Sequence, residues 1–397
     1  PTTSTNHPVA MYTTVEVLTL TYVPGLKARS IMALIDRGIP FSSLAFVADQ
    51  TLARCSIAAK TIASLRQIYP YRREADKQAE QATAEGVTLL SIAEPDYPRS
   101  LREIWSPPPI LWIRGSLHDR ERHDGEQTKP SDRDSSITPV ADIGPAVAIV
   151  GTRRATTYGT LAAERYAGTI ARAGVTVVSG LARGIDTVAH EAVLRAGGRT
   201  IAVVASGLDR IQPQGAARRA LTIAEKGAVV TEHPFGVRAL RPYFPQRNRI
   251  ISGLVAGTLV VESDVKGGAM ITARFAFDQN REIFALPGPV TSPQSAGTNR
   301  LIRIYRARWT ERPEDLLEEL GYRLPNEEAA AQTQANGPEN LTMFEQKVYD
   351  RLGAEPVGVD EICEGVGIAP GELLATLLSL EFKGCIRQLA GKRFLRT

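Results

Sequence analysis

Apolar and polar positions alternate in one repeated pattern between residues 147 and 288. Short segments rich in Val, Ile, Ala and Thr are each followed by a cluster of small, polar or charged residues and then by a helical segment. Nearly uniform apolar strands are typical of a parallel sheet with helices on both faces. We therefore predict a doubly wound parallel α/β sheet with six strands, at 147–150, 175–178, 200–205, 228–231, 258–261 and 282–286.

The N-terminal part of the chain has a helical pattern instead. Residues 1–14 are expected to be frayed, and four short helices are predicted at 15–20, 27–37, 42–48 and 51–69, the last with a break near Ser56. The segment Val23-Pro24-Gly25-Leu26 resembles a helical-hairpin turn, which can hold a nucleic-acid backbone through main-chain N–H groups. A small packing domain with no ligand is the alternative interpretation.

The C-terminal part combines three helical periods with two short strands. The helices are predicted at 341–352, 359–365 and 371–383, and the strands at 386–389 and 393–395. This order is typical of a winged-helix domain. Additional strands at 87–92 and 110–114 are expected to join the central sheet.

These patterns predict four segments along the chain. They are a helical N-terminal domain (1–85), a sheet domain (86–324) with a flexible insertion rich in Asp, Arg, Ser and Pro (118–143), a linker (325–340) and a winged-helix-like domain (341–397).

Composition narrows the class of protein. Of the 397 residues, 43% are hydrophobic and 23% charged, which is ordinary for a globular protein. No apolar run approaches the ~20 residues that span a membrane, and no secretory signal is recognised, so no membrane association is expected. Only Cys55, Cys363 and Cys385 are present, which favours reduced thiols and a cytoplasmic location. The formal net charge of +4 is weak support for a polyanionic partner.

In a parallel sheet, all strands end at one edge, and ligands bind in the crevice outside that edge. The first strand is followed by Gly151, Thr152, Arg153 and Arg154, which combine close backbone approach with fixed positive charge. We predict a phosphate site there. The dinucleotide pattern G-x-G-x-x-G is absent, and no acidic residue ends the second strand.

A second glycine-rich loop runs from Ser179 through Gly180 and Arg183 to Gly184. Its main-chain N–H groups are expected to form another anion-binding nest. Asp186 and His190 follow on the next helix, where Asp186 is expected to cap the helix and His190 to pack beneath the loop.

The segment Tyr243-Phe244-Pro245-Gln246-Arg247-Asn248-Arg249 places aromatic and cationic residues together at the start of a helix. Aromatic rings stack on bases and cations hold phosphates, which is what single-stranded nucleic acid requires. Phe244 has a second interpretation, a hydrophobic staple for the helix.

A fourth flexible loop, Lys266-Gly267-Gly268, opens a further helix on the same edge. No nucleophile arrangement and no set of metal ligands is evident, so neither catalysis nor a metal or other cofactor is expected. Four carboxylates lie at strand ends, namely Asp209, Glu232, Glu262 and Asp264. Each is compatible with a catalytic role, with a contact to a base, or with bracing of a loop.

Several of these motifs, in this order, resemble the DNA-processing protein A (DprA, also called Smf) family. The resemblance is strong over about 86–320 and looser at both ends; the matching segments are 151–153, 179–186, 207–209, 244–251 and 284–288. It implies an extended Rossmann-like sheet domain, a small N-terminal helical domain of the SAM or helical-hairpin type, and a winged-helix-like tail.

The resemblance also implies a function without catalysis. Members bind single-stranded DNA in a basic pocket, form homodimers and help to load the recombinase RecA onto incoming DNA during natural transformation. By this resemblance, phosphates would be held by the side chains of Arg153, Arg247, Asn248, Arg249 and Lys266 and by main-chain donors near Gly151, Ser179 and Gly180, and Phe244 would stack on a base. Thr152, Arg183, Gly267 and Gly268 complete the predicted site.

The sequence departs from the family pattern at two places. Gly267-Gly268-Ala269 stands where Ser-Gly-Ser is common, so hydroxyl contacts are lost there. Arg306-Ala307 stands where Gly-Ala is common, near the usual dimer surface.

Two other functions are compatible with parts of the sequence. Glu232 and Glu262 beside phosphate-binding loops would suit a nucleotide-processing enzyme of the phosphoribohydrolase type, although its Pro-Gly-Gly-x-Gly-Thr loop is absent. Alternatively, the winged-helix-like tail reads DNA through basic residues near its wing, namely Lys383, Arg387, Lys392, Arg393 and Arg396.

Overall fold

The computed structural model describes residues 12–118, 143–304, 306–322, 341–353, 356–367, 370–382, 385–389 and 393–396. The predicted linker and nearly all of the predicted insertion and frayed terminus lie outside these residues. The chain forms two compact units, Pro1–Leu324 and Pro325–Thr397. Because residues before and after 85 share the first unit, the predicted domain limit at 85 stays a prediction.

The first unit contains a sheet of nine strands in the order β1-β2-β6-β5-β4-β3-β7-β8-β9. From β6 to β9 all neighbours are parallel, whereas β2 is antiparallel to β6 and β1 to β2. The strands are β1 (Thr88–Ser91), β2 (Ile110–Gly115), β3 (Ala146–Val150), β4 (Thr176–Ser179), β5 (Thr200–Val203), β6 (Ala228–Thr231), β7 (Gly257–Val260), β8 (Glu282–Ala285) and β9 (Arg308–Trp309).

This sheet confirms the predicted fold class and all six repeated strands. The chain runs outward from β3 to β4, β5 and β6, and then returns to the other side of β3 to add β7, β8 and β9. The strand order therefore reverses beside β3, between the ends of β3 and β7. In such sheets the crevice for a ligand lies at this reversal.

Thirteen helices of the first unit are described around the sheet. They are α1 (Thr14–Tyr22), α2 (Ala28–Asp36), α3 (Asp49–Ala53), α4 (Ala59–Leu65), α5 (Tyr69–Ala84), α6 (Arg99–Arg102), α7 (Thr157–Arg172), α8 (Ile185–Arg195), α9 (Gln214–Lys226), α10 (Tyr243–Gly253), α11 (Gly268–Asp278), α12 (Ala296–Arg303) and α13 (Pro313–Glu319). The central strands are buried on both faces, with separate apolar clusters above and below them. This double burial explains why their sequences do not alternate between apolar and polar residues.

The N-terminal helices differ from the prediction in three places. Tyr12 is buried and Thr13 caps α1 in a capping box with Glu16, so the chain is ordered before residue 15. The helix predicted at 42–48 is only a 3₁₀ turn at Phe41–Ser43. α5 was missed because its 16 residues are mostly polar and bury only small positions on one side.

The second unit has the predicted winged-helix order. Its elements are α14 (Met343–Arg351), β10 (Val357–Gly358), α15 (Val359–Val366), α16 (Pro370–Phe382), β11 (Ile386–Leu389) and β12 (Arg393–Arg396). The strands pair as β10-β12-β11. Only β10, two residues long, was not predicted. Within the described residues, no single helix is long and apolar enough to cross a membrane. Among these residues, one pair of helices, Val359–Val366 with Gly371–Glu381, has the required length and composition together, but it is sharply bent between the two helices.

Candidate functional site

A pocket of about 390 Å³ opens where the strand order reverses beside β3. Its walls come from the segments that follow β3 and β7, from the loop after β4 and from α10 and α11. Eight residues of the predicted site line it, namely Gly151, Thr152, Arg153, Phe244, Arg247, Asn248, Gly267 and Gly268. Segments separated by more than 100 residues therefore meet at one place, as the parallel topology predicts.

Arg153 and Phe244 form a cation–aromatic pair on the wall of this pocket. The guanidinium carbon of Arg153 lies 5.0 Å from the centre of the Phe244 ring. Arg153 is exposed and Phe244 is half-buried, so both retain surface that a ligand can contact. A ring beside a cation can stack on a base while the cation contacts a phosphate.

The N-terminus of α11 also faces the pocket. Its N-cap is Gly267, which has no side-chain hydrogen bond to the helix, so the first amides are not capped by a side chain. A Cβ on Gly267 would lie 2.2 Å from Ser263 Oγ, whereas one on Gly268 would meet open space. The glycines thus leave main-chain donors accessible to an anion. The neighbouring Lys266 is exposed but does not line the pocket.

The N-terminus of α7 does not have the open amides that the sequence predicts after Arg153-Arg154. Its N-cap is Thr156, and the buried Glu262 accepts a hydrogen bond from Thr156 N at 3.0 Å and another from the Thr156 hydroxyl. A Cβ on Gly159 would lie 2.2 Å from Glu262 Oε2, so the carboxylate fills this helix end. Glu262 braces the loop, one of the three roles left open for it.

The predicted nest after β4 is likewise occupied by a carboxylate. Buried Asp186 accepts hydrogen bonds from the main-chain N–H groups of Gly180 and Ala182, the latter at 3.4 Å. The hydroxyl of Ser179 donates to Ile149 O at 2.6 Å and is also committed. Donors of this loop that were expected to hold phosphate therefore hold the protein's own carboxylate. Arg183 is exposed but does not line the pocket.

Arg247, predicted to hold a phosphate beside this edge of the sheet, is buried. Its guanidinium donates to Gly180 O at 2.6 Å, to Val203 O, and to Asn248 Oδ1 at 3.2 Å. Burial lowers the pKa of Arg247 to about 10, opposed by Asp186, so it stays charged at neutral pH. Burial raises the pKa of Asp186, and the Arg247 charge opposes that rise. Arg247 thus connects the ends of β4 and β5 to α10 behind the pocket.

Asn248 and Arg249 are also engaged within the protein. The amide of Asn248 donates to Gly268 O at 3.3 Å and so connects α10 to the start of α11. Arg249 forms an ion pair with Glu232, and both side chains are largely buried. Arg249 thus has a partner inside the protein, and its predicted phosphate contact stays a prediction.

Arg241 lines the pocket and was missed by the sequence argument. It is exposed and lies just before α10. Its only signal in the sequence is its position two residues before Tyr243. The predicted site begins with the helix at Tyr243 and therefore leaves Arg241 out.

Two arginines near the predicted wing, Arg393 and Arg396, make contacts within the second unit itself. Arg393 donates to Pro356 O at 2.7 Å, and Arg396 donates to Tyr349 O at 2.8 Å and lies over the Tyr349 ring. Lys383 and Lys392 lie outside the described residues. The third helix, which usually enters the DNA groove in this fold, contains no Lys or Arg and exposes Leu374 and Leu378. These features disfavour the tail as the main DNA reader.

His190 is buried beneath the β4 loop, as expected. Thr200 Oγ1 donates its proton to Val177 O and lies 2.7 Å from His190 Nδ1, so Nδ1 carries the imidazole proton and donates to Thr200. Burial, assisted by Arg219 and Arg247, lowers the pKa of His190 to about 3. No cluster of three or more possible metal ligands occurs in the described part of the chain.

This pKa shift predicts a pH dependence of stability. Between pH 6.5 and 3 the unfolded chain binds a proton at His190 that the folded chain excludes, so stability falls as the pH falls. The slope from one such group is up to about 1.4 kcal/mol per pH unit. Urea unfolding from pH 7 to 5 should give a smaller slope for His190→Gln. Equal slopes for wild type and His190→Gln would contradict the assignment.

Comparison with protein families matches both units. The family model described as DNA recombination-mediator protein A matches residues 138–321, and that described as DprA winged helix domain matches residues 331–392. The sequence is thus similar to two parts of one kind of protein, in the expected order.

Individual relatives agree with this. Protein Smf of Escherichia coli K12 is 41% identical over 248 residues, covering 62% of this chain and 66% of that protein. DNA processing protein DprA of Bacillus subtilis 168 is 32% identical over 305 residues, covering 76% of this chain and 94% of that protein. The X-ray structure of DNA processing protein A from Streptococcus pneumoniae has a TM-score of 0.64 at 28% identity, covering 79% of this chain and 99% of that chain.

Proposed function

Because this chain belongs to the DNA-processing protein A (DprA/Smf) family of DNA recombination mediators, we propose that its pocket binds single-stranded DNA. The observation that carries the proposal is the meeting of an aromatic ring, an exposed arginine and an open helix N-terminus in one pocket. The ring can stack on a base, the arginine can bind one phosphate, and the helix N-terminus can bind a second phosphate.

The proposal assigns the predicted site residues to two groups. Arg153, Arg241, Phe244 and the amides after Gly267 contact the DNA, with Lys266 and Arg183 next to the segments that line the pocket. Arg247, Asn248 and Arg249 hold the pocket in shape from within, together with Asp186 and Glu262. Gly151 and Thr152 line the walls, whereas Ser179 and Gly180 lie behind them and bond to Ile149 and Arg247.

We further propose that the protein protects incoming DNA and helps to load RecA during natural transformation, acting as a cytoplasmic homodimer. The family resemblance supports these roles. No catalytic step is proposed, because the strand-end carboxylates Asp209, Glu232 and Glu262 accept hydrogen bonds or ion pairs from the protein itself.

The decisive experiment compares the full chain with a chain ending at Leu324. The first unit folds around its own apolar clusters, so the shortened chain should retain its fold. Fluorescence anisotropy with a labelled oligo(dT) of 15 nucleotides should give affinities within about threefold for the two proteins. Loss of binding with the tail would move the site to the winged-helix unit, and no binding by the full chain would reject the proposed function.

The salt dependence of binding tests the role of Lys266. For single strands, each phosphate contact contributes about −0.7 to the slope of log K against log salt. Lys266→Ala should therefore make the slope shallower by about 0.7. Arg274→Ala removes an exposed cation within α11 that is ion-paired with Asp278, and it should leave the slope unchanged. Equal slopes for Lys266→Ala and wild type would remove Lys266 from the DNA contact.

A further inference from the structure

A second cation–aromatic pair lies on the surface of the first unit, outside the pocket. The guanidinium carbon of Arg29 is 3.9 Å from the centre of the Trp105 ring. Trp105 is 77% exposed, so the arginine covers only part of the ring. Among the described residues, no carboxylate lies within 4 Å of Arg29, so its charge is not neutralised by an ion pair.

The surroundings of this pair come from two parts of the chain. Arg29 lies in the first turn of α2, directly after the helical-hairpin turn at Val23–Leu26, and exposed Lys27 adds a further positive charge. Trp105 follows Ile104, which packs with Leu101 against the end of α10 at Gly253. Packing thus brings the hairpin and α10 to the same flank of the unit.

The pair has the same chemistry as Arg153 with Phe244. In both, a guanidinium lies on an aromatic ring that remains accessible, and neither arginine is in an ion pair among the described residues. Phe277, 47% exposed, also has a stacked arginine, with the guanidinium carbon of Arg306 at 4.1 Å from its ring centre, whereas Phe46 at 87% and Tyr69 at 82% have none in the described structure. Among the described rings with a stacked arginine, Trp105 is the most exposed. A large exposed indole beside an unneutralised cation is suited to stacking on a nucleobase while binding its phosphate.

We propose that Arg29 and Trp105 form a second contact for single-stranded DNA, which holds the strand after it leaves the pocket. This inference rests on the proposed function of the pocket. α10 leads from one contact to the other: Phe244 is in its first turn and Gly253 at its end. Nine residues at 1.5 Å each make about 14 Å, or roughly four nucleotide steps at ~3.4 Å each. A strand of five nucleotides can therefore span both contacts, whereas a strand of three nucleotides cannot. A strand that fills only the pocket is too short to reach Trp105.

Oligonucleotide length therefore separates the two contacts. Binding of 5′-labelled dT3 and dT15 would be measured by anisotropy for wild type, Trp105→Ala, Trp105→Phe and Arg29→Ala. Trp105→Ala and Arg29→Ala should each bind dT15 about five- to tenfold more weakly and bind dT3 like wild type, while Trp105→Phe should keep most of the dT15 affinity. Phe46→Ala, which removes a more exposed ring without a cation, should bind both lengths like wild type.

Tryptophan fluorescence gives a readout that a purely structural role of Trp105 would not change. The chain has three tryptophans, of which Trp112 is buried and Trp309 is removed in Trp309→Phe. In that variant, dT15 should quench the remaining exposed emission and dT3 should not. Equal affinities of wild type and Trp105→Ala for dT15, equal losses for both lengths, or no selective quenching would overturn the second contact. Wild type that binds neither length would instead reject the pocket itself.

Discussion

Arg247→Ala is expected to lower the free energy of unfolding by about 3 kcal/mol or more, rather than to weaken DNA binding alone. The substitution leaves Gly180 O and Val203 O without their donor inside the protein. It also removes the positive charge that opposes the raised pKa of buried Asp186. Unpaired buried acceptors cost about 1–3 kcal/mol each, and an uncompensated buried charge about 3–5 kcal/mol. Urea denaturation followed by circular dichroism measures the loss directly.

Arg153→Ala is the matched control, because it removes an exposed arginine from the same pocket. Its unfolding free energy should stay within about 0.5 kcal/mol of wild type, since surface substitutions away from caps and buried networks have small effects. Its DNA affinity should fall instead. If Arg247→Ala unfolds like wild type and loses only DNA affinity, then Arg247 contacts DNA as the sequence alone predicts, and the bracing role is wrong.

The contrast between these arginines shows what the sequence can predict. Strand-end position was sufficient to bring Arg153, Phe244 and Gly268 to one pocket, because the parallel topology fixes which loops meet. The direction of a side chain at that edge is decided by its neighbours. Arg247 turns inward because Gly180 has no side chain: a Cβ there would lie 2.5 Å from the guanidinium.

The helix N-termini illustrate the same limit. Three helices begin beside the pocket, and the sequence marks α7, α8 and α11 with glycine, hydroxyl or basic residues in similar ways. Glu262 fills the end of α7, and Asp186 takes the amides of the loop before α8. Glu262 is 106 residues from its partner Thr156, so this contact can be predicted only when the fold is known. Asp186 is only 4 residues from its partner Ala182, so this contact is local in the sequence. α11 remains as the end with no side-chain cap.

The N-terminal helices were predicted less well, for a different reason. α5 is largely solvated and buries only a few small or polar positions, so hydrophobic periodicity gives no signal for its 16 residues. The hairpin turn at Gly25 was recognised, but the partner of Arg29 was not. Trp105 lies 76 residues away and contacts Arg29 only after α6 packs on α10, so no pattern within either segment predicts the pair.

Phe244→Ala is expected to cause the largest loss of DNA affinity without loss of stability. Stacking of one base on an aromatic ring contributes about 1–3 kcal/mol, which corresponds to roughly 5- to 150-fold in affinity. The half-buried ring lines the pocket under Arg153, so its removal deletes the stacking surface and frees the arginine from its support. Anisotropy with dT3 at fixed salt isolates this contact, because a strand of three nucleotides is too short to reach Trp105.

Phe244→Tyr provides the control for shape, since it keeps the ring and should bind within about threefold of wild type. The salt slope should be unchanged in Phe244→Ala, because no phosphate contact is lost with the ring. A hydrophobic staple predicts the opposite outcome: the unfolding midpoint would fall and the affinity of the folded protein would not. Affinity, salt slope and unfolding midpoint measured in Phe244→Ala therefore decide between the two interpretations. Loss of a stacking ring lowers the affinity and leaves the salt slope and the unfolding midpoint unchanged, whereas loss of a staple lowers the midpoint.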